Sequence, residues 1–216
     1  MKLVLNKVSQ IIVSASLILV QNVANAQSFE DVLRAVERGD VASVGGFIDR
    51  GLDPNTTDLA GNSILMTAAR FGHRDLVALL IDRRANLERR SPHGDTALMF
   101  ASLKGHLPVI QLLLEKGARL KTSGWTELHY AAFEGRSQAI RFLVGKGADK
   151  NAPAPNGDTA LMLAVRGGHV EAARALLYED VDVRAKGQDG ETALSLATKR
   201  REEELVELLK RAGAVE

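Results

Sequence analysis

An all-α solenoid of about six helix pairs, joined by β-turn fingers, is the fold that the glycines of this chain predict. Gly61, Gly94, Gly124, Gly157 and Gly190 recur at intervals of 33, 30, 33 and 33 residues. A second column of Gly51, Arg84, Gly117, Gly147, Asp180 and Gly213 takes its 30-residue step at the same place. Self-similarity at this period marks a stack of supersecondary units, not a single globular core. The stretch 94–118, GDTALMFASLKGHLPVIQLLLEKGA, shows what one unit is. Thr96 opens a short apolar run, and Pro108 stands near the start of the next, where its missing N–H costs nothing. Gly117 closes that second run. Each unit therefore reads as a turn, a short helix and a longer helix.

Residues 1–26 fall outside this pattern. Lys2 and Lys7 precede an apolar stretch from Ile11 to Val20, and Ala24-Asn25-Ala26 is a small-residue cleavage site, so a secretory signal is expected, cut between Ala26 and Gln27. A membrane anchor would need roughly 17–25 mostly apolar residues, whereas Ser14 and Ser16 interrupt this run. The rest, 27–216, is expected to be one solenoid with units near 28–57, 58–90, 91–120, 121–153, 154–186 and 187–216. The first unit lacks a finger. Its Phe29, Val32, Leu33 and Val36 form one apolar stripe, Ser28 with Asp31 resembles a capping box, and Glu30, Arg34, Glu37 and Arg38 face water, as a terminal cap requires. The second unit is regular except at Arg84, and the fifth at Asp180, where other units place a helix-closing glycine. Left-handed backbone at such residues costs about 1–2 kcal/mol. The connection from Ala118 to Gly124 is three residues short of its counterparts, which truncates the third finger. In the last unit Lys199 to Glu204 supply six consecutive charges, read as the solvated face of a closing cap, with Leu205, Val206, Leu208 and Leu209 packed inward.

Charge and composition narrow the function. Without the signal the chain has 26 basic and 27 acidic residues, so the cationic surface that general nucleic-acid affinity needs is missing. The absence of cysteine excludes disulfides, thiolate metal sites and a cysteine nucleophile. No G-x-S-x-G, H-E-x-x-H or phosphate-loop motif occurs, and an enzyme is not expected. Of the five histidines, His73, His106, His129 and His169 occupy repeated columns and read as structural, which argues against a metal site; no cofactor is expected. His93 lies instead on a finger tip. Met66, Met99 and Met162 share a column and are expected to pack between units.

These units resemble the ankyrin repeat family, whose pattern is roughly G-x-T-P-L-H-x-A-A-x-x-G-H followed by an apolar helix ending L-L-x-x-G-A. The matching segments are GDTALMFASLKGH with LLLEKGA, GWTELHYAAFEGR with LVGKGA, and GDTALMLAVRGGH with LLYEDV. The similarity runs from about Phe29 to Val215. Departures are regular: Ile64, Ala97, Glu127, Ala160 and Ala193 replace the proline, and Met66, Met99, Met162 and Ser195 the histidine. The resemblance implies a stack whose concave face and finger tips hold another protein.

Carried over residue by residue, the recognition positions form columns: Arg70, Leu103, Phe133, Arg166 and Lys199; beside them Phe71, Lys104, Glu134, Gly167 and Arg200; and, after the finger glycine, Asn62, Asp95, Trp125, Asp158 and Glu191. The middle of the concave face thus carries Phe71, Leu103, Trp125 and Phe133, in a chain with one Trp, two Tyr and six Phe. Basic Arg70, Lys104, Arg166, Lys199 and Arg200 lie toward the ends, and His93 and Glu134 complete the candidate set. The expected function is a non-enzymatic interaction module in the periplasm, or secreted, that holds a protein or peptide with acidic groups around an apolar anchor. An inhibitor or immunity-type protein that neutralises one toxin or enzyme would use the same surface. A monomer with no membrane contact after cleavage is expected.

Overall fold

The computed structural model describes residues 29–215, so the expected signal, its Ala26–Gln27 junction and Ser28 lie outside the described residues. Among the described residues twelve helices follow one another in six pairs: α1 (29–38) with α2 (Val41–Asp49), α3 (Ile64–Phe71) with α4 (Arg74–Asp82), α5 (Ala97–Lys104) with α6 (Leu107–Glu115), α7 (Glu127–Phe133) with α8 (Ser137–Gly145), α9 (Ala160–Arg166) with α10 (Val170–Tyr178), and α11 (Ala193–Arg200) with α12 (Glu203–Arg211). From α3 onward the first helices of the pairs stack on one another, and the second helices from α2 onward stack in a parallel row. The core is continuous along both rows, through Leu65, Leu80, Leu98, Ile110, Leu113, Leu128, Ile140 and Leu143, all essentially inaccessible.

From α3 onward each first helix starts on a reciprocal cap. Ser63, Thr96, Thr126, Thr159 and Thr192 accept the N–H of the third residue onward at 3.2, 3.3, 3.4, 3.4 and 3.1 Å. The side chain of that third residue accepts the cap's own N–H in return, a role usually given to Glu or Gln. Here it falls to the thioethers of Met66, Met99 and Met162 at 3.3, 3.4 and 3.4 Å, to His129 Nδ1 at 3.0 Å and to Ser195 Oγ at 2.9 Å. The methionines are buried, as expected of packing residues, and in addition satisfy a backbone donor that would otherwise be orphaned.

The histidines after the turn glycines tie their units to the ones before. His73, His106 and His169 donate from Nε2 to the carbonyls of Glu37, Arg70 and Phe133 at 2.7, 3.0 and 3.0 Å. Arg136 takes this place in the short unit and donates to the Leu103 carbonyl at 3.2 Å. The imidazole lies so close to the preceding turn that a Cβ on Gly72, at φ +79°, would come within 2.7 Å of the His106 ring. Arg201 occupies the same column at φ 59°. No further unit stacks on it among the described residues, which is why a side chain fits there.

Arg84 and Asp180 hold φ 66° and 54°, the left-handed geometry expected of them. Arg84 is exposed, so relieving this strain disturbs no packing. Arg84→Gly is expected to stabilise the chain by about 1 kcal/mol, the left-handed penalty reduced by the larger backbone entropy of glycine. Thermal melting of both proteins checks this, and an unchanged or lower midpoint would show that the junction is not strained.

Four fingers are closed by two backbone bonds each, such as Ser91 N–H to Asp95 O and Gly94 N–H to Ser91 O, both 2.9 Å. The third has neither among the described residues, and the Lys121 N–H donates instead to Glu127 Oε2 at 3.0 Å. Fingers are also joined to one another. Asn55, Glu88 and Asn151 accept the backbone N–H of Asn86, Arg119 and Asp182 at 2.8, 2.9 and 2.8 Å, each 31 residues on. The three missing residues remove the corresponding acceptor from the third unit, so this ladder lacks its rung between the third and fourth. There a cleft of about 510 Å³, lined by Leu114, Leu120 and Phe142 among others, opens between α6 and α8.

Candidate functional site

The stacked first helices present one residue per unit to the groove, four positions before the next helix, and the short unit makes that row aromatic at its centre. Leu103 at the end of α5 and Trp125, His129, Tyr130 and Phe133 on and before α7 enclose an open pocket of about 410 Å³. Phe133 is 57% exposed, whereas Trp125 is half-buried. The indole sits edge-on to two rings, 81° to His129 with centroids 5.9 Å apart and 77° to Tyr130 at 6.4 Å. Trp125 is therefore partly a packing residue, and Phe133 an uncovered one.

Hydrogen bonds fix the pocket's floor and side. His129 accepts the Thr126 N–H on Nδ1, so its Nε2 carries the proton and donates to the Ala152 carbonyl at 2.9 Å. Burial holds this imidazole below its ordinary pKa, and the ring is neutral in the fold. The Tyr130 hydroxyl donates to Asp95, and burial together with that carboxylate pushes the phenol far above its usual range. Glu127, next to the cap, is buried as well. Its Oε2 takes the Lys121 N–H and its Oε1 has no partner among the described residues, and desolvation raises its pKa.

A second pocket of about 280 Å³ adjoins along the face, lined by Glu37, Asp58, Arg70, Phe71 and Phe100 among others. Phe71 is 47% exposed and stacks on His73 with ring centroids 6.1 Å apart. His93 is exposed at its finger tip, its N–H bonded to Ser91 Oγ.

The expected basic rim is largely neutralised from within. Lys104 meets Glu134 at 3.6 Å, and Glu134 also holds Arg136 at 3.1 Å. Arg166 is gripped by Asp158, Asp189 and Glu191 at 3.1, 3.3 and 3.5 Å, and Glu191 also binds Lys199. Arg166 and Lys199 are answered within their own units by Asp158 and Glu191, the residues just after the finger glycines, which the column reading treated as free to meet a partner. Arg70 and Arg200 stand outside every ion pair of the described residues and are exposed.

Column reasoning missed Phe100, Tyr130 and the wholly exposed finger-tip Leu59. The signal was present for two of them: the column Thr67, Phe100, Tyr130, Leu163 and Leu196 places aromatics side by side in the two middle units, one turn before Leu103 and Phe133. Leu59 had no comparable mark.

Comparison with known proteins agrees with this architecture. The family model for ankyrin repeats in three copies matches residues 32–124, 85–154 and 128–215. Ankyrin repeat and SAM domain-containing protein 6 of Mus musculus is 28% identical over 138 residues, 62% of this chain and 12% of that protein. Its counterpart in Rattus norvegicus is 31% identical over 138 residues, with the same coverage. The chain thus spans about an eighth of the length of these relatives.

Proposed function

Since the chain belongs to the ankyrin repeat family, generally non-enzymatic modules for protein–protein interaction, we propose that it holds a protein or peptide on its concave face by an anchor side chain seated in the aromatic pocket. The observation that carries this reading is the pocket itself. Five apolar or aromatic side chains converge on an open hollow at the centre of the stack, and Phe133, one of them, is more than half exposed. Contiguous exposed apolar surface of this kind is where partners dock, and central aromatics tend to dominate interface energies. Acidic groups of the partner would meet Arg70 and Arg200, toward the two ends. The place of action is the periplasm, a proposal that rests on the signal read in residues 1–26 and on the lack of cysteine.

The test is capture from periplasmic extract by the unmodified chain and by Phe133→Ala and Trp125→Ala, with melting temperatures measured in parallel. Each substitution is expected to weaken capture by about 2 kcal/mol or more. Phe133→Ala should leave the midpoint within a few degrees, and Trp125→Ala should lower it modestly, since the indole is half-buried. Undiminished capture by a folded Phe133→Ala protein would place the binding surface elsewhere.

A further inference from the structure

The pocket's chemistry says more than that an anchor enters it. Four of its five lining residues carry rings, and the Trp125 indole stands nearly perpendicular to both His129 and Tyr130, forming a corner of aromatic surface. Such rings carry negative faces that attract a cation within about 6 Å. Tyr130 is a stronger case than an isolated phenol, because its hydroxyl donates to the Asp95 carboxylate, which leaves more electron density on the ring. Asp95 also accepts from Ser91 Oγ at 3.2 Å, yet it has no cationic partner among the described residues. In the equivalent position of the last two units, Asp158 and Glu191 are matched by Arg166 and Lys199. The adjoining pocket repeats the excess: Glu37 and Asp58 line it against the single cation Arg70, and none of the three is ion-paired among the described residues. Lys104, the cation nearest in sequence to Leu103, is engaged with Glu134.

We propose that the anchor is an arginine side chain of the partner, its guanidinium against the Trp125, Tyr130 and Phe133 rings and its charge balanced by Asp95. A neutral aliphatic plug would fill the hollow but leave Asp95, one hydrogen bond behind the Tyr130 ring, without a counter-charge. A lysine ammonium is compact and strongly hydrated, and a lining with almost no polar surface returns few hydrogen bonds to it. The guanidinium is more weakly hydrated and stacks on aromatic faces, and its three-methylene stem suits the Leu103 side.

This rests on the reading of the concave face as the docking surface, and the experiment separates the two. The chain contains one tryptophan, so Trp125 emission reports occupancy of the pocket directly. The full chain is titrated with acetyl-Gly-Arg-Gly-amide and with the lysine, leucine and phenylalanine analogues. The arginine peptide is expected to bind at least about fivefold tighter than the other three, and to be weakened severalfold between about 50 and 500 mM salt while the leucine peptide is unaffected. Asp95→Asn keeps an acceptor for the Tyr130 hydroxyl and should reduce arginine binding about fivefold without changing the leucine peptide. Leucine, phenylalanine or lysine binding as tightly as arginine, or no response to any peptide, overturns the proposal. So does unchanged arginine binding in a folded Asp95→Asn protein; should that variant not fold, the salt titration of the unmodified chain decides alone. None of these outcomes touches the docking surface, which stands or falls with partner capture by Phe133→Ala.

Discussion

Leu113→Ala should destabilise the protein by about 2–5 kcal/mol, the range for truncating a fully buried leucine whose surroundings cannot collapse into the space. Leu113 is wholly inaccessible on α6, beside Val109, Ile110 and Leu112, in the row where second helices stack. Units of a solenoid contact only their neighbours, so a void at one junction weakens the coupling that lets the stack unfold as one body. Urea unfolding measures the effect. Leu59→Ala, at a 99% exposed site, serves as the control and should stay within about 0.5 kcal/mol. A chelator should leave both curves where they are, because the histidine columns are spent on backbone carbonyls. A loss below about 1 kcal/mol at Leu113 would mean that α6 does not carry the junction.

The second large effect belongs to His129. His129→Ala leaves the Thr126 N–H and the Ala152 carbonyl, both bonded to the imidazole, without partners in a buried place. Two orphaned backbone groups and a small void together are worth on the order of 3 kcal/mol. His129→Met, the residue that three other units use, restores an acceptor for the cap and should recover about half of that loss. The two proteins also differ in acid. The His129 pKa is lowered by folding, so its contribution is complete above the unfolded value near 6.5 and is lost as pH falls from there through the folded value. Glu127 has the opposite sign: its raised pKa makes its contribution complete at low pH and lost as pH rises through the folded value. Because Glu127 is common to both proteins, the difference between the unmodified chain and His129→Met isolates the imidazole. That difference should shrink as pH is lowered from 7 toward 5, and a constant difference would contradict a neutral, buried His129.

The architecture was legible because it is written many times over. A glycine column read once is ambiguous, but the same column at five places with one shared irregularity fixes period, unit boundaries and helix order, and even the left-handed Arg84 and Asp180 follow from it. The site was legible only in part, for a physical reason. Columns say which residues occupy equivalent places, not which neighbours answer them across units. Arg166 and Lys199 looked free along their own column, while the carboxylates that neutralise them stand in another, across the finger. Tyr130 was hidden by the opposite effect, since its column is apolar in most units and reads as core. Glu127 lies at a position where other units hold Ile or Ala, and only the missing finger bonds explain why a carboxylate is buried there.

The absent rung between the third and fourth fingers bears on how the stack moves. Where Asn55, Glu88 and Asn151 clasp the following finger, a bend must break a hydrogen bond; between the third and fourth fingers it breaks none of this kind among the described residues. Curvature can therefore change at this seam more cheaply than elsewhere, with three units swinging as a body on either side. The aromatic pocket spans that seam, Leu103 on one half and Trp125, Tyr130 and Phe133 on the other. Its width is thus coupled to the shape of the whole solenoid, and an occupant that bridges Leu103 and the rings would hold the two halves at one angle.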